Sequence, residues 1–447
     1  MKKTLKGEVT VFLSLLLGVI LVFIYALVDS ETWGAWKSYE RGKAELAVSS
    51  VFAEYNTTLF DEYHIFALDA TYESGTYYID NVRDRLEFYG MENMEWEVDQ
   101  LQLLSDGNGA AYKEQILAYM KAKYGVTDLE NLWGDTSLWE TQRIEGEDIY
   151  EEMDASEDSL SGYTDSLSSL WSLDVLNLVI SDSSLLSTNS VSADSLSSNR
   201  TLEKGIACYE ISSENTMVNK VLISEYILEH FSHVTDTIDE DELASEGLLY
   251  EVEYILEGEY TDEDNLRGVV NQILLLRIPV NYTCLLQSGT KMAEIKALAL
   301  TMSTALGMPL LEEAVEQALL LSWAYAESIL DLRVLLSGKK VPLIKTAEDW
   351  QLDLSGLFTL GTSQDSEVGQ EDDGGLGYED YLRILLYLTE EDALIEGAMD
   401  MMEMDMQLHL GCSYFQVDTC ITQIEYLNRS EASSGYTYEF PVTFTYR

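Results

Sequence analysis

The chain has 447 residues, of which 46% are apolar and 11% aromatic, so it can bury a sizeable core and is not a disordered acidic polymer. Its 26 basic and 80 acidic side chains give a formal net charge of -54, which repels the phosphates that nucleic-acid-binding proteins must neutralise. We therefore expect no nucleic-acid partner and assign the acidity to a solvated folded surface; a surface that collects cations or a basic partner is the alternative.

The first predicted element is an uncharged apolar segment from residue 9 to residue 28. As a helix these residues would span ~30 Å, the thickness of the hydrocarbon core of a bilayer. Basic residues precede the segment and acidic residues follow it, which places the N-terminus inside by the positive-inside rule. The basic residues are Lys2, Lys3 and Lys6, and the acidic ones are Asp29 and Glu31. We predict a cytoplasmic N-terminus over residues 1–8, a single transmembrane helix over 9–28, and an extracellular C-terminal domain on the cell membrane.

A cleaved secretory signal is the alternative for this segment. Such signals have an apolar region of only about 7 to 15 residues and end in a small-x-small cleavage site. The apolar run is longer here, and Ala26, Val28 and Asp29 form a poor processing site. We therefore predict that the helix is retained.

A helical pattern continues beyond the apolar segment. Apolar residues recur at spacings of three and four from Ala44 to Tyr55, with charged residues such as Lys43 and Glu54 off that stripe. The anchor is thus predicted to be a long rod whose outer half packs on the domain.

Three stretches of this rod carry a family resemblance. Residues 7–15 (GEVTVFLSL), 27–29 (LVD) and 43–47 (KAELA) resemble the N-terminus of TadE/TadG-like pseudopilins, minor components of the tight-adherence (Flp-type) pilus machinery. The resemblance implies that Gly7 matches the glycine at which prepilin peptidase cuts true pilins, so Gly7 and Glu8 mark a prepilin-type processing site. The glutamate expected five residues after the cut falls on Phe12, which favours the TadG-like condition of an unprocessed anchor.

Residues 29–153 are predicted to form an extracytoplasmic α+β subdomain. Residues 64–68 are an apolar run typical of a buried strand, and residues 94–98 alternate apolar and acidic side chains as a half-buried strand does. Between them, the apolar spacing from Tyr78 to Tyr89 predicts a helix. From residue 154 to 204 the chain is rich in Ser and Asp and has no sustained period, so we predict a mobile insertion there.

Residues 205–447 are predicted to form an α+β domain with a central helical bundle. Residues 250–256 alternate apolar side chains with glutamates, which predicts a strand. Residues 264–336 have a helical pattern, in which the stretch 297–311 is too short for a second span and is expected to be a core helix. Alternation over 415–421 and 436–446 predicts a C-terminal antiparallel hairpin, with Pro441 at a sheet edge or a bulge. The predicted fold class is α+β, with a long transmembrane helix continuing into a mixed domain of antiparallel strands and a helical hairpin.

Six further segments resemble the DUF5702 family, membrane proteins of Gram-positive bacteria that are linked to Tad pilus gene clusters and have no assigned chemistry. The resemblance implies location and context only. The segments are residues 50–56, 63–66, 271–277, 322–328, 340–345 and 378–386.

We predict no catalytic, cofactor-binding or metal-ligating residue. His230 and His233 are expected to share a helix face without the spacing of a zinc motif, and His64 is expected to be a core residue. The glycines at 338 and 374–377 lack the context of a phosphate or dinucleotide loop, and the acidic stretches 236–242 and 371–373 lack the spacing of a calcium loop. Cys412 and Cys420 are close enough in sequence for a disulfide; buried free thiols are the alternative.

These observations predict a non-enzymatic, membrane-anchored envelope protein, an accessory or minor pseudopilin-like component of a Tad/Flp-type pilus or secretion apparatus. Its expected partners are the membrane and other pseudopilin-like membrane proteins, and no cofactor or small-molecule ligand is indicated. Two alternatives stay open. One is a cell-surface binding or sensor module with an acidic, cation-binding face, and the other is a hydrolase whose two carboxylates meet only in the fold.

Overall fold

A computed structural model describes most of the chain. The described residues are 6–446 apart from 93, 126–135, 161–169, 172, 181–185, 208–216, 237–245, 306, 363–364, 366–368, 373 and 433–434.

The fold is α+β, as predicted, with helices in the majority and one antiparallel sheet built from strands at both ends of the chain. The helices are α1 (Lys6–Phe52), α2 (Thr57–Tyr63), α3 (Ile79–Leu86), α4 (Asp106–Tyr124), α5 (Ser137–Leu160), α6 (Val175–Val179), α7 (Met217–His230), α8 (Glu251–Glu257), α9 (Asp262–Gln287), α10 (Gly289–Ala305), α11 (Glu312–Leu336), α12 (Leu354–Leu357), α13 (Tyr378–Leu388) and α14 (Glu391–Leu408). The strands are β1 (Leu68–Asp69), β2 (Glu95–Leu103), β3 (Cys420–Glu431) and β4 (Thr437–Thr445).

Helix α1 is the longest element, with 47 residues and a length of ~70 Å. Its C-terminal part packs on the sheet, where Ala44, Ala47 and Val51 are fully buried and the Phe52 ring stacks on Phe444 at 4.4 Å between centroids. This confirms the prediction that the helical stripe after residue 43 joins the rod to the domain. The resulting smaller core consists of α1, α3 and the inner face of the sheet.

Strand β3 is the centre of the sheet. It pairs with β2 along one edge and with β1 and β4 along the other. Pro441 lies opposite Leu427 on β4, and in the described part of the chain β4 pairs with β3 alone. The predicted hairpin and the edge position of Pro441 are therefore confirmed, because a residue without an N–H is tolerated where no second ladder is needed.

Two predicted strands are shorter than expected. Residues 64–67 do not form a strand: His64 ends α2 in the left-handed conformation, with φ 56°, and only Leu68 and Asp69 pair with β3. At the other end, Val417–Thr419 is a 3-10 turn, so the first strand of the hairpin begins at Cys420. The predicted strand at 94–98 and the helix before it are confirmed as β2 and α3, the latter extended by a π-helical turn over Glu87–Met91.

The predicted strand at 250–256 is wrong, because this segment is helix α8. Alternating glutamates suggested a wet face, yet Glu251 is 9% exposed and Glu253 is fully buried. Both carboxyl groups accept hydrogen bonds from backbone N–H groups of residues 232 and 234. The alternating pattern was therefore misleading, because these glutamates are buried and their carboxyl groups are hydrogen-bonded inside the protein.

The larger core is helical and contains α9, α10 and α11, which confirms the helical pattern predicted for 264–336. The stretch 297–311 is less buried than expected, since Leu310 is 98% exposed and a 3-10 turn at Pro309–Leu311 divides it. Among the described residues, α9 is a second helix long and apolar enough to cross a membrane, but 61% of its apolar window is buried in the protein. Helix α9 is a core helix.

The described part of the predicted mobile insertion is packed into the protein. Leu178 and Leu196 are buried in the larger core, and Ser197 donates to Asp400 of α14 at 2.6 Å. Arg200 pairs with Asp418 at 2.6 Å. The serines that suggested mobility satisfy buried carboxylates instead, while residues 161–169, 172 and 181–185 of this segment lie outside the described residues.

Close packing of α5 on α9 leads to the first prediction. A Cβ on the buried Gly146 would overlap the backbone carbonyl of Leu275. We expect Gly146→Ala to lower the free energy of unfolding by about 1–3 kcal/mol, because neither backbone can retreat from a packed core. Urea unfolding of the full-length protein in detergent measures this. The control is Gly42→Ala in α1, where no described atom beyond the adjacent helix backbone lies within 4 Å of the new methyl group and stability should not fall. Equal midpoints for Gly146→Ala and the wild type would contradict the packing of these two helices.

Candidate functional site

The N-terminal part of α1 exposes a continuous apolar surface. Every large apolar side chain from Val9 to Val28 is between 43% and 73% exposed, and the most apolar window of the helix has a mean hydropathy of 3.0 with none of its residues buried. Soluble proteins rarely leave so large an apolar surface in water. The first candidate functional surface is therefore this apolar half of α1.

A second feature, which we call the aromatic collar, lies where the apolar half ends. It consists of Trp33, Trp36 and Lys37 of α1 with Tyr436 and Tyr438 of the C-terminal hairpin. Trp33 and Trp36 stack with ring centroids 4.9 Å apart, and Tyr436 lies 5.1 Å from Trp33. The Lys37 ammonium lies 4.8 Å from the Trp33 ring and 5.0 Å from the Tyr438 ring, which is the geometry of a cation–π contact.

Helix and strand periodicity together build the collar. Trp33, Trp36 and Lys37 are spaced by three and four residues and share one face of α1, while Tyr436 immediately precedes β4 and Tyr438 lies two residues further along it. Further toward the C-terminus of α1, the Arg41 guanidinium lies 5.7 Å from the Phe440 ring. The alternation from Tyr436 onward was predictable from the sequence, but its contact with α1 was not, since the hairpin and the helix are about 400 residues apart in the chain. The Trp-x-x-Trp-Lys spacing in α1 was the available sign of an aromatic helix face.

A buried ionic network crosses the larger core. Arg277 of α9 donates to Asp331 of α11 at 2.8 Å, and Lys345 bridges Asp331, at 2.7 Å, and Glu327. The side chains of all four residues are at most 1% exposed. Two positive and two negative groups therefore balance inside the protein, where an unpaired charge would be strongly destabilising.

Remaining polar atoms of this network are bound by neighbouring segments. Arg277 also donates to the carbonyl of Pro342 at 2.9 Å and to the Tyr381 hydroxyl at 3.0 Å. Glu327 accepts the backbone N–H of Leu352 at 2.8 Å. Burial alone would raise the pKa of Asp331, but Arg277 and Lys345 lower it below its usual range. The network joins α9, α11, α13 and the loop between the last two, and its members are too buried to meet a soluble ligand.

Four of the segments that carry the DUF5702 resemblance supply this network. Segment 271–277 contributes Arg277, segment 322–328 contributes Glu327, segment 340–345 contributes Lys345, and segment 378–386 contributes Tyr381. The four segments therefore contribute residues to one buried network, and the resemblance in these segments concerns residues that stabilise the core.

A second buried group is acidic and surrounds α8. Burial raises the pKa of Glu251 to about 8 and that of Glu253 to about 7. The Tyr378 hydroxyl donates to Glu253 at 2.8 Å, and Asp262 accepts the N–H of Tyr250 at 3.1 Å. Hydrogen-bond donors rather than cations stabilise these carboxyl groups, so they join α8, α9, α13 and the segment that follows α7.

This burial gives a pH-dependent prediction. The pKa of Glu253 rises from an ordinary value near 4.5 to about 7 on folding, so the folded state binds the proton more tightly and stability falls as pH rises through that interval. We expect Glu253→Gln to stabilise the protein by on the order of 2 kcal/mol at pH 8 and to have little effect at pH 4.5. Denaturation midpoints at the two pH values measure this, with Glu95→Gln on the exposed face of β2 as the control for charge removal. A gain that is the same at both pH values would contradict the buried position of this carboxyl group.

The sequence-predicted site residues are separated in the structure. Glu8 lies exposed in the first turn of α1, directly after Gly7, so the two residues remain a predicted processing site. The thiols of Cys412 and Cys420 are free in the structure, in line with the alternative of free thiols, and Cys420 is fully buried as the first residue of β3. Cys208 lies outside the described residues.

The histidine prediction requires correction. His230 is the last residue of α7 and packs against Tyr226 at 4.4 Å, whereas His233 follows the helix and pairs with Asp236. They do not share a helix face, because α7 ends between them. His64 is only partly buried, at the end of α2. Gly338 lies in a turn after α11, with φ 76°.

The surface grooves are open and lined largely by polar side chains, among them Asp69, Glu73 and Cys412 in two adjoining grooves. One open groove of about 480 Å³ is lined by hydroxyl, amide and apolar side chains, including Asn189, Ser192 and Met404, and by the carboxyl group of Glu246. Within the described residues, no three His, Cys, Asp or Glu side chains are arranged to hold a metal ion. Of the acidic stretches singled out in the sequence, residues 237–242 and 373 lie outside the described part.

Comparison with known proteins gives one match. No curated protein and no solved structure matches the chain. The model of a family of unknown function, DUF5702, matches residues 153–431, which is more than half of the chain and includes the entire ionic network. The chain therefore belongs to the DUF5702 family.

Proposed function

We propose that this chain is a non-enzymatic, single-pass envelope protein that serves as an accessory or minor pseudopilin-like component of a Tad/Flp-type pilus or secretion apparatus. The observation that carries the proposal is the continuity of α1: one helix of 47 residues leaves an apolar surface free at one end and is buried in the domain at the other. Such a helix can hold the domain at a fixed distance from a bilayer, because no flexible linker separates the two.

The charge distribution supports an outward domain. Lys2, Lys3 and Lys6 lie on the short N-terminal side of the apolar segment, and the positive-inside rule keeps such residues in the cytoplasm. The domain beyond the segment contains nearly all of the acidic residues, which do not oppose translocation. In this orientation everything after residue 28 lies outside the cell membrane.

Lateral contacts of α1 support the role in an assembly. The resemblance of residues 7–15 to TadE/TadG-like pseudopilins suggests neighbours of the same kind, whose apolar helices pack side by side in the membrane. Gly18 is open to such a neighbour, since within the described chain no atom beyond the adjacent backbone of α1 lies within 4 Å of the position of a Cβ there. Small residues allow helices to approach closely in lipid.

Crosslinking in living cells before detergent extraction tests the proposal. A tagged full-length protein should recover other pseudopilin-like membrane proteins of the pilus machinery, as identified by mass spectrometry. Gly18→Leu should weaken that recovery by filling the open position, whereas Val22→Leu, which is 69% exposed and already branched, is the matched control. Recovery of no pilus component by the wild type would contradict the proposed role and would leave the membrane anchor untouched.

A further inference from the structure

We infer that the aromatic collar is a lipid-interface contact: Trp33 and Tyr436, at the loop end of the C-terminal hairpin, lie in the headgroup layer of the bilayer that α1 crosses, with Trp36 at the outer boundary of that layer. This inference rests on the proposed membrane span and does not depend on the pilus role. It gives the domain a second attachment to the membrane, formed by a strand from the opposite end of the chain.

The depth of the collar follows from helix geometry. Trp33 lies five residues beyond Val28, or about 8 Å along the helix, and Trp36 lies about 12 Å along it. A headgroup layer extends about 5–8 Å beyond the hydrocarbon core on each side, so Trp33 lies within it, and a tilt of α1 by about 40° would bring Trp36 to about 9 Å, at its outer boundary. Because Tyr436 is in ring contact with Trp33, the hairpin reaches the same depth.

The chemistry of the collar fits that layer. Tryptophan and tyrosine are enriched at membrane interfaces because their rings are apolar and their N–H and O–H groups remain hydrated. Tyr436 is 57% exposed, so an aromatic surface remains available after the internal ring contacts are made. Lys37 contributes a cation to the collar, and Asp29, one helical turn before Trp33, contributes an anion.

Charge attraction does not explain the contact. A chain with a net charge of -54 is repelled by anionic lipids, so insertion of rings rather than binding of phosphate must hold the collar. The lipid contact should therefore form on neutral phosphatidylcholine and change little when salt is raised.

Tryptophan quenching by lipid tests the depth. Full-length protein is placed in phosphatidylcholine nanodiscs whose acyl chains are brominated near the carbonyl end, and insertion is first verified by co-flotation with liposomes of the same lipid. Two of the eight tryptophans lie in the collar, so bromine should remove up to about a quarter of the emission of the wild type. The Trp33→Phe/Trp36→Phe variant should lose this quenching. The control Trp350→Phe, which removes a ring that is 9% exposed in the larger core, should retain it.

A second variant isolates the hairpin from the helix. In the Trp33→Phe/Trp36→Phe background, the indole introduced by Tyr436→Trp should restore the quenching by bromine. Its control is Tyr414→Trp, an equally exposed tyrosine before the other end of β3, whose indole should be quenched by aqueous iodide instead.

The outcomes separate the claims. An indole at position 436 that iodide quenches and bromine does not would overturn the inference while the anchor stands. Emission that neither reagent quenches, and that changes when the protein is diluted among more nanodiscs, would assign the collar to contact between copies and would also overturn it. Failure of the wild type to co-float with liposomes would remove the membrane span, and with it both the proposed function and this inference.

Discussion

Arg277→Met is expected to destabilise the folded domain by about 3–5 kcal/mol, enough to unfold much of a protein of ordinary stability. Arg277 is 1% exposed and is hydrogen-bonded to Asp331, the Pro342 carbonyl and Tyr381. Its removal leaves the buried Asp331 carboxylate with Lys345 as its one remaining cation in the network. It also removes the N–H groups that the Pro342 carbonyl and the Tyr381 hydroxyl accept. Methionine fills part of the volume but provides no N–H group.

A double-mutant cycle distinguishes the loss of charge balance from the loss of packing. Asp331→Leu combined with Arg277→Met removes one charge of each sign, and the remaining pair of Lys345 with Glu327 is still balanced. We expect the double variant to lose less free energy of unfolding than the sum of the losses in the two single variants, by at least about 1 kcal/mol. Urea unfolding followed by circular dichroism measures it. The matched control is Arg429→Met, an arginine 56% exposed on the outer face of β3, which should cost less than about 0.5 kcal/mol. Strict additivity in the cycle would contradict the network.

Leu17→Arg/Leu21→Arg is expected to move the protein from the membrane fraction to the soluble fraction or to inclusion bodies. The two side chains are 57% exposed and lie one turn apart in the middle of the apolar half of α1. Each arginine near the centre of a bilayer costs about 2.5–3.5 kcal/mol on insertion scales, and together they cancel most of the gain from the apolar residues. The folded domain is not touched by either change.

Fractionation by ultracentrifugation, with carbonate washing of the membranes, measures this effect. Tyr39→Arg provides the matched control, because Tyr39 is 66% exposed on the same helix but lies beyond the apolar half. It should remain in the washed membrane fraction like the wild type. If the double arginine variant also stayed there, a surface other than α1 would have to hold the protein on the membrane.

Helices and strands with one buried and one solvent-exposed face were predictable from the sequence. The stripe that begins at Ala44 and the alternation from Tyr436 to Tyr446 each mark a single buried face, and both were placed correctly as helix and strand. The start of the first strand of the hairpin was not, since Phe415 and Val417 are buried before Cys420 without belonging to the strand. Periodicity reports burial, and the pairing partner must be known before a strand can be delimited.

Elements buried on all sides were not predictable in this way. Glu253 appeared to mark a solvent face, but its hydrogen bonds to Tyr378 and Val234 connect segments far apart in the chain. The pairing of Arg277 with Asp331 is equally invisible, because nothing local shows that two charges 54 residues apart neutralise each other. The collar was missed for the same reason: a tryptophan on the first helix meets a tyrosine of the last hairpin.

Protease treatment of intact protoplasts that express the full-length protein with a different tag at each end tests the proposed topology most directly. If α1 crosses the membrane with its lysines inside, external protease will remove the C-terminal tag and the acidic domain, while a fragment carrying the N-terminal tag and the apolar segment stays protected in the membrane. A C-terminal tag that survives until the protoplasts are lysed would contradict the outward domain, and with it the proposed role in an extracellular assembly.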